Sequence, residues 1–158
     1  MKYCKVFLLA PALALLPSIA LAQRSALCDS TILVDKDLAS EINVHTDLTE
    51  WIKPFGHADL LFKKPELKNR NSVSRDMVRA YPRKLRDSGI GGEPTFAIWV
   101  DTAGVVKKRT LIQPSGYADM DEAADGVISK MRFDPQRVDS GCAVPMVLRM
   151  PIVLRTIP

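Results

Sequence analysis

Between residues 118 and 131, the apolar positions Met120, Ala123, Ala124, Val127, Ile128 and Met131 recur at the steps of a helix and make one continuous stripe. Asp119, with Glu122 three residues on, has the form of a capping box. Asp121 and Asp125 early in the helix, and Lys130 and Arg132 at its end, match the dipole. A stripe of Met, Ala and branched residues at this spacing is core rather than a cofactor site. Upstream the period changes to two. Phe96, Ile98 and Val100 alternate with Thr95, Ala97 and Trp99, Asp101 to Gly104 reads as a turn, and Val106 begins a return strand. That hairpin is expected to bury one face of its first strand. Before it, Pro82 can open a short helix and Gly89 can end it in the left-handed conformation.

The last strong pattern runs from Ala143 to Thr156. Val144, Met146, Leu148, Met150, Ile152 and Leu154 alternate with Pro145, Val147, Arg149, Pro151, Val153 and Arg155. Both sets are largely apolar, so the pattern alone leaves the inward face open. Proline lacks a backbone donor and is confined in sheets to edges, strand starts and bulges, so this strand is expected at an edge, where another chain can bind. Residues 23 to 72 are less patterned. "STILV" reads as a short strand, Leu38, Ile42, Leu48, Trp51 and Ile52 have loosely helical spacing, and "KKPELKNRNS" reads as loop. The order helix, hairpin, helix, strand predicts an α+β domain whose small antiparallel sheet is covered on one face by helices.

The first 22 residues alter the frame. Lys2 and Lys5 precede an apolar run, Val6 to Ala22, that ends in Ala20, Leu21 and Ala22, which is the form of a secretory signal peptide cleaved after Ala22. The expected organisation is a signal at 1–22, an extension at 23–72 and a domain at 73–158, in a periplasmic protein. If the run stays uncleaved, it becomes an inner-membrane anchor. Loss of Lys2 and Lys5 lowers the net charge from +4 to +2, which disfavours nucleic acid as a partner. Charge is blocked instead. Residues 28 to 50 hold Asp29, Asp35, Asp37, Glu41, Asp47 and Glu50 against Lys36, while residues 63 to 86 carry nine Lys or Arg. The blocks either lie against each other or form two solvated faces.

With Cys4 removed in the signal, Cys28 and Cys142 remain, and in an oxidising compartment an isolated pair is most simply a disulfide. No metal-like spacing joins them to His45 or His57, so no metal is expected. No cofactor and no enzyme activity are expected either. Gly89, Gly91 and Gly92 are not followed by the Lys-Ser/Thr of a phosphate loop, and no nucleophile, base and orienting group fall together.

One series of residues has a familiar order. Tyr81-Pro82, Leu85, Gly89-Ile90, Gly92, Phe96, Ile98, Val100-Asp101, Gly104, Val106, Ser115-Gly116, Met120-Asp121, Ala123-Ala124, Met131 through Pro135 and the closing Met150-Pro151-Ile152-Val153 together resemble the C-terminal domain of the TonB family of energy transducers, over residues 78 to 156. The resemblance implies two helices and a three-stranded antiparallel sheet, no catalytic residues, and a periplasmic site that grips an extended peptide near the N-terminus of an outer-membrane receptor. The peptide would pair with the last strand, making Val147, Leu148, Arg149, Met150 and Pro151 the docking edge, with Pro151 ending the pairing. Outer-membrane transport is the implied process. The same edge would also serve self-pairing into a homodimer, and an uncleaved anchor would restore a transducer. Two family features are missing: the apolar run carries no His, and no long Pro-rich spacer follows it.

Overall fold

The run TILVD is apolar and β-branched, and in the computed structural model, which describes residues 28–40, 42, 44–61, 64–138 and 141–156, it forms β1 (Thr31–Asp35) with all five residues buried. The strand ends where the Asp35 carboxylate accepts the N–H of Asp37 and caps α1 (Lys36–Ala39). After α2 (Thr46–Ile52) the chain returns as β2 (His57–Leu61), parallel to β1, as a connection through helices allows. α3 (Arg70–Ala80) and α4 (Arg83–Asp87) follow, then β3 (Thr95–Val100), β4 (Val106–Gln113) and α5 (Ala118–Ile128). The two-residue strands β5 (Gln136–Arg137) and β6 (Ala143–Val144) pair with each other before β7 (Met146–Pro151).

The main sheet has the order β2-β1-β7-β3-β4. β7 is its middle strand. It runs antiparallel to β3, with Ile98 opposite Leu148, and parallel to β1, with Leu33 opposite Met146 and Val34 opposite Val147. Both faces are covered. Phe96, Ile98, Met146 and Leu148 pack with the stripe of α5 and with Val73 of α3, while Ala97 and Val147 pack on the other side with Ile32, Val34, Leu38, Leu48 and Trp51. The second core comes mostly from residues 32 to 51.

These facts revise the expected architecture. The α+β class holds, but the three-stranded antiparallel sheet with two helices is instead a five-stranded mixed sheet, with five helices among the described residues. The equal apolarity of the two sides of the last strand reflects burial on both faces, since a strand interior to a sheet and covered twice loses its alternation. β3 likewise buries Thr95 and Ala97 as well as Phe96 and Ile98. Pro145 interrupts the terminal pattern and divides it into β6 and β7. The capping box does not form: Tyr117 precedes α5, and the Asp121 carboxylate accepts the N–H of Ser115 at 2.9 Å. The α5 stripe, the β3–β4 hairpin and the short α4 between Pro82 and Gly89 stand as read.

The disulfide between Cys28 and Cys142 is formed, across a sequence separation of 114, and fastens the entry to β1 to the loop before β6. β1 and β2 therefore share a sheet with β3, β4 and β7 across the boundary drawn at residue 72. No helix among the described residues is long and apolar enough to cross a membrane. The signal peptide read at 1–22, with its cleavage after Ala22, lies outside the described residues.

The hairpin turn offers a clean test of packing. The Asp101 carboxylate accepts the N–H groups of Ala103 and Val105, each at 2.9 Å, and Gly104 has φ +81°. A Cβ at Gly104 would lie 1.9 Å from the Phe133 carbonyl oxygen, whereas at Gly89, with φ +71°, nothing lies within 4 Å. Gly104→Ala is thus expected to cost about 2–4 kcal/mol and Gly89→Ala only about 1 kcal/mol, the bare penalty of the left-handed region. Chemical denaturation of the two variants checks this, and equal losses would contradict it.

Candidate functional site

The docking edge expected at Val147–Pro151 depends on which backbone groups of β7 face outward from β3. Ile152 and Leu154 donate their N–H groups to Pro94 and Gly92 across from β3, so the even positions face that strand. Odd positions face the β1 side. There Pro145 accepts the N–H of Leu33 at 3.0 Å, and Val147 is paired with Val34. The side of the strand expected to be open is therefore occupied, at Val147, by the chain's own early residues. Val147 itself is 0% exposed, in the core made with α1 and α2. Leu148 faces the opposite core and is also fully buried.

Arg149 is covered differently. β1 has ended at Asp35, but the Asp35 carboxylate, 1% exposed as a residue, accepts the N–H of Arg149 at 3.1 Å. Lys64 donates from Nζ to the Arg149 carbonyl at 3.0 Å and lies 3.3 Å from the Asp35 carboxylate and 3.8 Å from that of Asp37. The acidic and basic blocks do meet here. Elsewhere the basic block pairs with another partner, as in Lys68 with Asp134, while Asp76 of α3 pairs with Lys130, just past the end of α5.

Beyond Arg149 the edge changes. Among the described residues, no backbone partner pairs with the outward carbonyl of Pro151, the N–H and carbonyl of Val153 or the N–H of Arg155. Pro151 offers an acceptor only. This stretch forms one wall of an open groove of about 640 Å³ whose other wall is α3, with Val73, Met77 and Tyr81 at its base. Two of the exposed large hydrophobic residues sit on it: Val78 at 67% and Val153 at 48% exposure. Arg70, Arg86 and Arg155 stand around it, and among the described residues no Asp or Glu lines it. The Arg86 contact with neighbouring Asp87, 3.3 Å, is an exposed pair of little strength.

Of the five expected edge residues, Met150 and Pro151 thus line the groove, while Val147, Leu148 and Arg149 are taken up by the fold. Asp35, Lys64, Val78, Val153 and Arg155 were not expected at the site. The basic run at 63 to 86 was a signal for its charge, but nothing local in the sequence brings Lys64 to Arg149. His57 lies on β2, 2.9 Å from Asp59 and exposed, and Cys142 is bonded to Cys28. Among the described residues no group of three His, Cys, Asp or Glu is placed to hold a metal ion. The chemistry this region can do is recognition, through backbone hydrogen bonds, an apolar groove and guanidinium groups.

Residues 77–154 match the family model described as Gram-negative bacterial TonB protein C-terminal. Among solved structures, the chain is similar to the solution NMR structure of Pseudomonas aeruginosa TonB CTD, at 20% identity over 49% of this chain and 78% of that one, with a TM-score of 0.43. It is also similar to the structure of HasB CTD, at 22% identity over 55% of this chain and 69% of that one, with a TM-score of 0.33. No curated protein matches the chain.

Proposed function

Residues 77–154 belong to the TonB C-terminal family, and from that premise we propose that this protein works in the periplasm by binding a short extended segment of another protein, such as an outer-membrane receptor, through strand addition. The observation that carries the reading is that, among the described residues, the outward backbone of Pro151, Val153 and Arg155 has no partner alongside an apolar groove. A guest strand there gains main-chain hydrogen bonds, and its alternate side chains enter the groove beside Met77 and Tyr81. Arg70, Arg86 and Arg155 favour a guest that carries carboxylates. The site accordingly lies further along the chain than Val147–Pro151. The protein acts as a recognition module, with no reaction of its own, in a process such as outer-membrane transport. Self-pairing into a homodimer through Val147–Arg149 loses its basis, because that stretch is taken up by the fold.

The test is a titration of receptor N-terminal peptides into the protein and two variants. Val153→Pro removes an edge N–H that none of the described residues accepts, and Val78→Glu puts a carboxylate on the groove rim. A net hydrogen bond contributes ~0.5–1.5 kcal/mol and the proline ring also blocks close approach, so Val153→Pro is expected to weaken binding about tenfold. Val78→Glu should weaken acidic peptides several-fold, and less so at high salt. Both positions are exposed, so thermal stability should stay nearly unchanged. Affinities insensitive to both changes would overturn the proposal.

A further inference from the structure

The pair Asp35 and Lys64 occupies the place where a guest strand would otherwise continue toward Val147. β1 pairs with β7 through Val147 and then turns away into α1, which would leave the N–H and carbonyl of Arg149 open. Both groups are satisfied instead by side chains: the Asp35 carboxylate takes the N–H at 3.1 Å and the Lys64 ammonium takes the carbonyl at 3.0 Å. An acceptor and a donor at these positions reproduce what one residue of a neighbouring strand supplies. They also hold each other, at 3.3 Å, and Asp35 is fixed further by capping α1. Lys64 reaches this point because β2 runs parallel to β1 and ends beside it at Leu61.

The geometry points to Asp35 and Lys64 as the register stop of the docking edge: they end the ladder at Arg149, so that a guest pairs only with Pro151–Arg155. This inference rests on strand addition at the groove and assigns a specificity role to the segment before residue 77. It also defines the guest. Four outward groups are offered, the carbonyls of Pro151 and Val153 and the N–H groups of Val153 and Arg155, and they span five residues of extended chain. The matching partner is a protein segment of about five residues in extended form, with apolar side chains at alternate positions and a carboxylate within reach of the groove arginines. A longer strand meets side chains in place of open backbone and gains nothing from its added length. Charge complementarity singles out this occupant, since the groove has guanidinium groups around it and, among the described residues, no acid in its lining.

The experiment is a length series: blocked peptides of alternating valine and serine with one glutamate, from five to nine residues, titrated into the intact protein, Lys64→Ala and the double variant Asp35→Ala/Lys64→Ala. For the unaltered protein the Kd should change less than about twofold beyond five residues. In Lys64→Ala, which removes the Lys64 donor from the Arg149 carbonyl and alters only a partly exposed side chain, the seven-residue peptide should bind about threefold tighter than the five-residue one. The double variant should extend that trend, and if loss of the α1 cap unfolds it, the single variant still decides. Amide exchange gives the register directly, with guest binding slowing Val153 and leaving Arg149 unchanged in the unaltered protein. An unaltered protein whose affinity keeps rising to nine residues, or a Lys64→Ala series as flat as its parent, overturns the stop while leaving strand addition in place. If no peptide binds, or binding ignores Val153→Pro, the docking reading itself fails and the stop fails with it.

Discussion

Val147→Asp is expected to abolish cooperative folding, while Val153→Asp, six residues further on and beyond the end of β7, should leave stability within about 0.5 kcal/mol of the parent. Val147 is wholly buried against β1 and the helices α1 and α2, with Ile32, Val34, Leu48 and Trp51 about it. The charged groups that border this part of β7, Asp35 and Lys64, are already paired with each other. An aspartate there loses its hydration against an apolar surround and forfeits the packing of the valine, a combined cost of about 4 kcal/mol or more. Against a total stability of roughly 5–15 kcal/mol this removes much or all of the margin. Val153, by contrast, is 48% exposed. Denaturation followed by far-ultraviolet circular dichroism separates the cases. A Val147→Asp protein that melts like its parent would show that the early residues do not pack on β7. The same logic makes Val147 unsuitable for probing docking, because its loss would remove the fold along with any site.

The second large effect is expected from the disulfide. Cys28 and Cys142 close a loop of 114 residues, for which chain entropy alone gives ~4–5 kcal/mol, with practical values of about 2–5 kcal/mol. Reduction, or the paired change Cys28→Ser/Cys142→Ser, is expected to lower stability by that amount and to act first on the entry to β1. Denaturation with and without a thiol reductant measures it, and an unchanged midpoint would mean that the bond constrains little. Because β1 pairs with β7 at only two positions on this side, its five-residue ladder with β2 and the core beneath it must carry the rest.

What could be read from the sequence divides according to how local the information is. The α5 stripe and the β3–β4 hairpin are encoded within a dozen or so residues each, by spacing and by Asp101 and Gly104 at the turn. They were legible for that reason. α3 is hard to read because Val73, Met77 and Ala80 are its few inward apolar groups in an otherwise polar and basic run, and its first residues, Arg70–Ser72, fall in the stretch that reads as loop but are helical. β2 is hard to read because its mostly exposed residues, "HADLL", have no sustained alternation. The place of β7 is a different matter. Its doubly apolar pattern is itself the mark of an interior strand, whereas Pro151 argued for an edge, and β7 lies inside the sheet. The stretch through Leu148 is enclosed, and the stretch from Pro151 borders the groove. The Cys pair could be matched by elimination, whereas the meeting of Asp35, Lys64 and Arg149 depends on parallel pairing between distant segments, which no local pattern encodes.

That parallel pairing also governs how the molecule can assemble. The middle strand of the sheet comes from residues 146–151 and one of its neighbours from residues 31–35, so neither apolar layer can close until nearly all of the polypeptide is present. The hairpin and the helices have the short-range contacts that permit early structure, whereas sheets completed by such distant segments form slowly. A nascent chain therefore stays open until the residues of β7 arrive, a state dependent on protection from self-association along the way.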